Sequence, residues 1–104
     1  MVLEAAILNI RAGQEAAFES AMKIARPLIA ATPGFRSIEV RRCVETPNRY
    51  LLLVTWQNLE DHAVGFRQSE RYQEWRALLH HFYDPFPAVE HYEAPLDLAA
   101  EISG

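Results

Sequence analysis

Four histidines and a small set of arginines carry most of the chemistry that this 104-residue chain could perform. Histidine titrates near neutrality and is the natural side chain for moving protons. Arginine presents a forked donor suited to holding an oxyanion. His62 follows two acidic residues, Glu60 and Asp61. His80 lies four residues after Arg76, so on a helix the two share a face and could hold an anion and move a proton together. The competing picture for His62, and for the Arg76–His80 pair, is a solvated helix surface. His80 and His81 are adjacent and diverge by about 100° on a helix, so they cannot chelate one metal as an i, i+4 pair would. His91 sits beside Tyr92, where a structural histidine with satisfied hydrogen bonds is the simpler expectation. Trp56, Phe66, Tyr72, Trp75 and Phe82 are expected in the core. Some of them would also line an apolar pocket with a few polar anchors. Glu4 is the lone acidic residue in the apolar run VLEAAILNI. It either pairs with Arg41 or Arg42 across a sheet, which the charge pattern favours, or points into a pocket as a base.

Other chemistries are excluded. Cys43 is the single cysteine, so neither an intrachain disulfide nor a cysteine-pair zinc site can form. The internal glycines are Gly13, Gly34 and Gly65, which make no phosphate-binding loop. No metal and no cofactor are expected. The net charge is −4, and the densest basic cluster is Arg41-Arg42, so nucleic acid is not an expected partner. The N-terminal apolar run has no basic residues before it and falls short of the roughly 20 apolar residues of a membrane span. These features predict a soluble, cytoplasmic protein with no membrane partner.

The elements that must position these residues follow from periodicity. Residues 2–10 form an apolar run ended by Arg11-Ala12-Gly13 and predict a strand buried on both faces. Phe18, Met22, Ala25 and Ile29 recur at helical spacing and define the buried face of a helix that starts after Gly13. Pro27 should kink it, and Thr32-Pro33-Gly34 should end it. Two strand-like runs, FRSIEVRRCVE and NRYLLLVTWQ, flank Thr46-Pro47-Asn48 and predict an antiparallel hairpin. A turn centred near Pro47 pairs Val40 with Val54 and Ile38 with Trp56, and puts Leu51, Leu53 and Thr55 on the other face. Asn58 should cap a short helix holding Leu59, Ala63 and Phe66. Ser69 should cap a second helix with Tyr72, Trp75, Leu78, Leu79 and Phe82 as its stripe. Asp84-Pro85-Phe86-Pro87 breaks that helix, and residues 88–93 read as a last strand.

This order predicts an α+β fold of the ferredoxin-like, split βαβ plan, with one antiparallel sheet. Residues 1–94 form a single domain and 95–104 a tail. Helices on one face leave the other open, carrying Leu51, Leu53 and Cys43, which predicts a homodimer built sheet against sheet.

The same plan, with Pro33-Gly34-Phe35 after the first helix, Trp56 ending the third strand, Phe66-x-x-Ser69-x-x-Tyr72-x-x-Trp75, Phe82 and Val89-x-His91-Tyr92, resembles the antibiotic biosynthesis monooxygenase family. The resemblance implies a dimeric α+β barrel with a pocket in each subunit between helices and sheet. Against the polyketide-quinone-forming members it matches Trp56 and Arg76. It places His62 where they have Tyr and Leu52 where they have Asn. Against the haem-degrading branch, the positions of interest are Ala6, Phe66 and Arg76, and an arginine does not ligate iron, so haem degradation is not implied. The implied activity is cofactor-independent monooxygenation of a small electron-rich aromatic or enolic molecule. Arg76 would hold the anion, His62 or His80 would move protons, and Trp56, Phe66, Tyr72, Trp75 and His91 would form the pocket. Two alternatives stand beside it: a non-catalytic binding or structural member of the same fold, and an isomerase or lyase on the same scaffold.

Overall fold

The architecture is that of a computed structural model in which residues 1–99 are described. Four strands, β1 (Val2–Asn9), β2 (Phe35–Arg42), β3 (Arg49–Trp56) and β4 (Val89–Tyr92), form one antiparallel sheet in the order β2-β3-β1-β4. Helices α1 (Glu15–Ala30) and α2 (Glu70–Leu79) pack on the sheet. A π-helical segment at Asp61–Phe66 precedes α2, and a 3-10 turn at His80–Phe82 follows it. This is the expected α+β, ferredoxin-like plan.

Strand parity decides what the sheet presents to each side. On β1, Glu4, Ala6 and Leu8 point into the core, followed by buried Ile10, while Ile7 on the opposite face is 54% exposed. On β3, Tyr50, Leu52, Val54 and Trp56 are buried. The expected burial of β1 on both faces is therefore corrected: among the described residues, no element covers the second face. Burying each large apolar side chain on the inner face contributes roughly 1.5–3 kcal/mol.

Helix α1 buries Phe18, Met22, Ala25 and Ile29, the four residues the periodicity picks out. It runs through Pro27 without interruption to Ala30. Gly34, at φ +90°, makes the turn into β2. A Cβ there would also run into the Asp61 carboxylate.

The hairpin faces are as expected, but the register differs by two residues. Ile38 lies opposite Val54 and Val40 opposite Leu52. The turn is centred on Thr46, where Cys43 N–H donates to the Arg49 carbonyl and Arg49 N–H to the Thr46 carbonyl. A two-residue shift preserves which face each side chain occupies. β2 also ends at Arg42, leaving Cys43 in the connection.

The segment after β3 departs most from expectation. Asn58 does not cap a helix with its side chain. Instead, the Asp61 carboxylate turns back to accept the Asn58 N–H at 2.9 Å. The following turn is wide, with Arg67 N–H donating to the His62 carbonyl five residues earlier. Ser69 caps α2 as expected, its hydroxyl accepting the Tyr72 N–H at 3.2 Å. Residues 93–99 have no regular structure, with Leu96 and Leu98 exposed. The rest of the expected tail lies outside the described residues. Among the described residues, no helix is long and apolar enough to cross a membrane.

Candidate active site

Among the described residues, Glu4 and His62 are two of three buried polar residues, at 5% and 3% exposure. Inward parity on β1 carries the Glu4 carboxylate under the helices. There its Oε1 accepts the Trp56 indole N–H at 2.9 Å and lies 3.4 Å from His62 Nε2. The expected pairing of Glu4 with Arg41 or Arg42 is corrected. Both arginines sit on β2, two strands away, and bond to Glu39 and to Glu19 with Tyr50 respectively. The π-helical segment turns His62 inward onto Trp56, the two rings stacked at 5.4 Å and 21°. The other imidazole nitrogen, Nδ1, lies 2.8 Å from His91 Nε2. His91 reaches it because it is the cross-strand partner of Glu4 in the β1–β4 ladder and shares its inward face.

A cavity of about 60 Å³ lies beside this group. The sheet supplies Glu4, Ala6, Leu8, Leu52 and Val89. The π-helical segment and the residue after it supply His62, Phe66 and Arg67. The region from α2 onward supplies Tyr72, Trp75, His80, Tyr83, Phe86 and Pro87. The walls are largely aromatic: Phe66 packs edge-to-face on both Tyr72 and Trp75.

His62, His80, Phe66, Tyr72 and Trp75 thus line the cavity, while Trp56 and His91 stand behind the wall and hold Glu4 and His62. Arg76 does not join them. Helix α2 turns Trp75 and Leu79 into the core, and Arg76, the next residue round from Trp75, faces outward and is exposed. The expected placement of Arg76 and His80 at one site is corrected accordingly. The α-helix ends at Leu79, and the tighter 3-10 turn brings His80 to the cavity without Arg76. The cation that does line the cavity is Arg67, which has no carboxylate partner among the described residues. Helical periodicity could not have found it, because its position depends on the wide π turn. Glu4 was detectable, since it shares strand parity with Ala6 and Leu8.

Burial governs the electrostatics. It pushes the Glu4 carboxyl above the usual carboxylate range, against the opposing pull of the Trp56 N–H and the Arg67 charge. His62 is lowered to about 3 by burial, then by Arg67 and His91, so it is neutral at physiological pH. Burial is also the first cause lowering His80, reinforced by Arg76 and Arg67, and lowering His91, reinforced by Arg67. The same cause raises Tyr83. The cavity is therefore lined by the His62 and His80 imidazoles and the Glu4 carboxyl, whose charged forms burial disfavours, and by Arg67, an otherwise exposed residue. Among the described residues, no group of three or more His, Cys, Asp or Glu is placed to hold a metal ion.

A family model described as antibiotic biosynthesis monooxygenase matches residues 1–78. The chain belongs to the antibiotic biosynthesis monooxygenase family. It is 52% identical over 93 residues to the uncharacterised protein YczJ of Bacillus subtilis (strain 168), covering 89% of this chain and 98% of that one. A crystal structure of a Bordetella bronchiseptica member of the family superposes with a TM-score of 0.86 at 37% identity, over 91% of this chain and 97% of that one. SnoaB from Streptomyces nogalater, a cofactor-independent oxygenase, superposes with a TM-score of 0.74 at 19% identity, over 95% and 97%, a likeness of fold.

Proposed function

We propose that this family member is a cofactor-independent monooxygenase acting on a small electron-rich aromatic or enolic molecule. The observation that carries the proposal is the convergence, in one aromatic-walled cavity, of a buried carboxyl–imidazole pair and an unpaired guanidinium. Oxygen insertion without metal or flavin requires a substrate that can itself reduce O2. Deprotonation to a phenolate or enolate supplies that electron. The substrate radical and superoxide then combine to form a C–O bond. A hydroperoxide at a CH2 group so oxidised collapses to C=O, the second oxygen leaving as water. The protein's tasks are to take the proton, hold the anion and exclude water.

Glu4 with His62 takes the proton, and His80 offers a second neutral imidazole on the same cavity. Arg67 holds the anion, the role that the resemblance gave to Arg76. The cavity is smaller than the several hundred Å³ typical of ligand pockets, so a substrate must enlarge it on entry.

The test is substrate-dependent O2 uptake with a panel of dihydroxy-aromatics and enolisable 1,3-diketones, run with a chelator present. The expected result is uptake matched by oxygenated product, with Arg67→Ala raising KM by about 10- to 100-fold, the loss of one charge-assisted anion contact. Conversion of substrate without O2 uptake would move the assignment to an isomerase or lyase. Absence of both conversion and binding would leave a structural role.

The second part of the proposal is a homodimer through the uncovered sheet face, which supports the same site from behind. Ile7, Leu51, Phe86 and Tyr92 are exposed around a shallow groove on that face. Such a patch on a small chain marks an interface. Sedimentation should give twice 11.9 kDa. Leu51→Glu should shift the protein to monomer, and a wild-type monomer would contradict the interface.

A further inference from the structure

We propose that Glu4, His62 and His91 form a proton relay that connects the carboxyl in the cavity to solvent at the β4 edge of the sheet. The catalytic proton in this scheme rests on the function proposed above, but the relay's existence does not. Three observations place it. Glu4 and His62 line the cavity, and His91 does not. His62 lies between them, with Nε2 at 3.4 Å from Glu4 Oε1 and Nδ1 at 2.8 Å from His91 Nε2. His62 Nδ1 is thereby paired with His91, and Nε2 stands within ion-pair range of Glu4. His91, only part-buried, is the end of the chain that reaches water.

The two histidines share one proton between Nδ1 and Nε2, so their tautomers are tied. With Glu4 ionised, His62 carries its proton on Nε2, facing the carboxylate, and His91 carries its proton on Nε2, donating to His62 Nδ1. A proton arriving at His91 Nδ1 releases the His91 Nε2 proton to His62 Nδ1. The His62 Nε2 proton then passes to Glu4. Two N–H bonds break, two N–H bonds and one O–H bond form, and the proton taken from water accounts for the difference. Glu4 ends protonated, and both histidines have switched to their Nδ1–H form. The reverse sequence exports a proton. Trp56 fixes the end of the wire by donating its indole N–H to Glu4 Oε1 and stacking on His62. The other charged and titratable groups that bear on it are Arg67, which opposes positive charge on both histidines, and Tyr83, across the cavity. Burial holds His62 neutral, which a relay needs, since a permanently protonated imidazole has no lone pair to receive the next proton.

The experiment uses the full chain and needs no substrate. Long-range proton–nitrogen spectra of 15N-histidine-labelled protein, recorded from pH 8 down to the onset of acid unfolding, report the tautomer of each ring. The expected result is that His62 switches from Nε2–H to Nδ1–H as pH falls, and that Glu4→Gln abolishes the switch. A His62 that keeps one tautomer across the range overturns the relay, whatever the enzyme's reaction. Once an oxidisable substrate is in hand, His91→Ala should lower kcat about tenfold with KM unchanged, and added imidazole should restore it. A kcat that is unchanged, or lost beyond rescue by imidazole, also overturns the relay. A protein with no O2 uptake but an intact tautomer switch removes the oxygenase proposal and leaves the relay standing.

Discussion

Acidification is expected to destabilise the protein most steeply between pH 4.5 and about 3, by as much as ~1.4 kcal/mol per pH unit through His62 alone. In the unfolded chain His62 takes a proton near its ordinary value of 6.5, whereas the folded state holds it off until about 3. Across that window the unfolded state binds more protons, so stability is lost as pH falls. Glu4 acts with the opposite sign. Its raised folded pKa means that the folded state keeps a proton the unfolded chain has released above 4.5, a contribution present in acid and lost as pH rises through the folded value. Glu4 therefore offsets part of the His62 loss until pH 4.5, and below that His62 acts unopposed. His80 and His91, also lowered, add to the acid loss. Thermal unfolding followed from pH 8 to 3 should show this profile. Glu4→Gln should move the onset of the loss up towards pH 6.5, and His62→Phe should make it shallower. A slope unchanged in His62→Phe would contradict the buried neutral imidazole.

Trp56 carries the second large effect. It is fully buried, packs edge-to-face on Phe35 and stacks on His62, and its indole N–H is the hydrogen bond that Glu4 receives. Trp56→Ala should cost ~3–5 kcal/mol, the usual range for emptying a large aromatic site. Trp56→Phe retains much of the apolar volume but removes the hydrogen bond donated to the buried Glu4 Oε1, a cost of about 1–3 kcal/mol. Repeating Trp56→Phe in a Glu4→Leu background, which removes the acceptor, separates the two effects. The expected coupling is about 0.5–3 kcal/mol, read from urea unfolding midpoints. Zero coupling would mean that Trp56 serves packing alone.

The parts of the structure that were legible in the sequence are those governed by local period. Phe18, Met22, Ala25 and Ile29 mark the buried face of α1 because helical spacing alone puts them there. Alternation along β2 and β3 assigned the right residues to each face, since face depends only on parity. Register depends on turn geometry, so the hairpin was displaced by two residues. The site was less legible because it is assembled across long separations. His62 and His91 are 29 residues apart, and Glu4 and Trp56 are 52 apart. Composition made Trp56, Phe66, Tyr72 and Trp75 a recognisable aromatic set, but not their division between wall and support. Arg67 was missed and Arg76 misplaced for a single reason. A regular helical count through each of the two expected helices, one after Asn58 and one after Ser69, takes no account of the π segment and the 3-10 turn that rotate the side chains at either end of α2.

On the function proposed above, the carboxyl–imidazole pair and Arg67 make the cavity an oxygenase site. The most direct measurement is O2 consumption with an electron-rich phenolic or enolic substrate, in wild type and in the Arg67→Ala and Glu4→Gln variants, each shown to be folded. Substrate-dependent uptake by the wild type, weakened in KM by Arg67→Ala and in kcat by Glu4→Gln, is the predicted result. Uptake that persists unchanged in both variants would contradict that function.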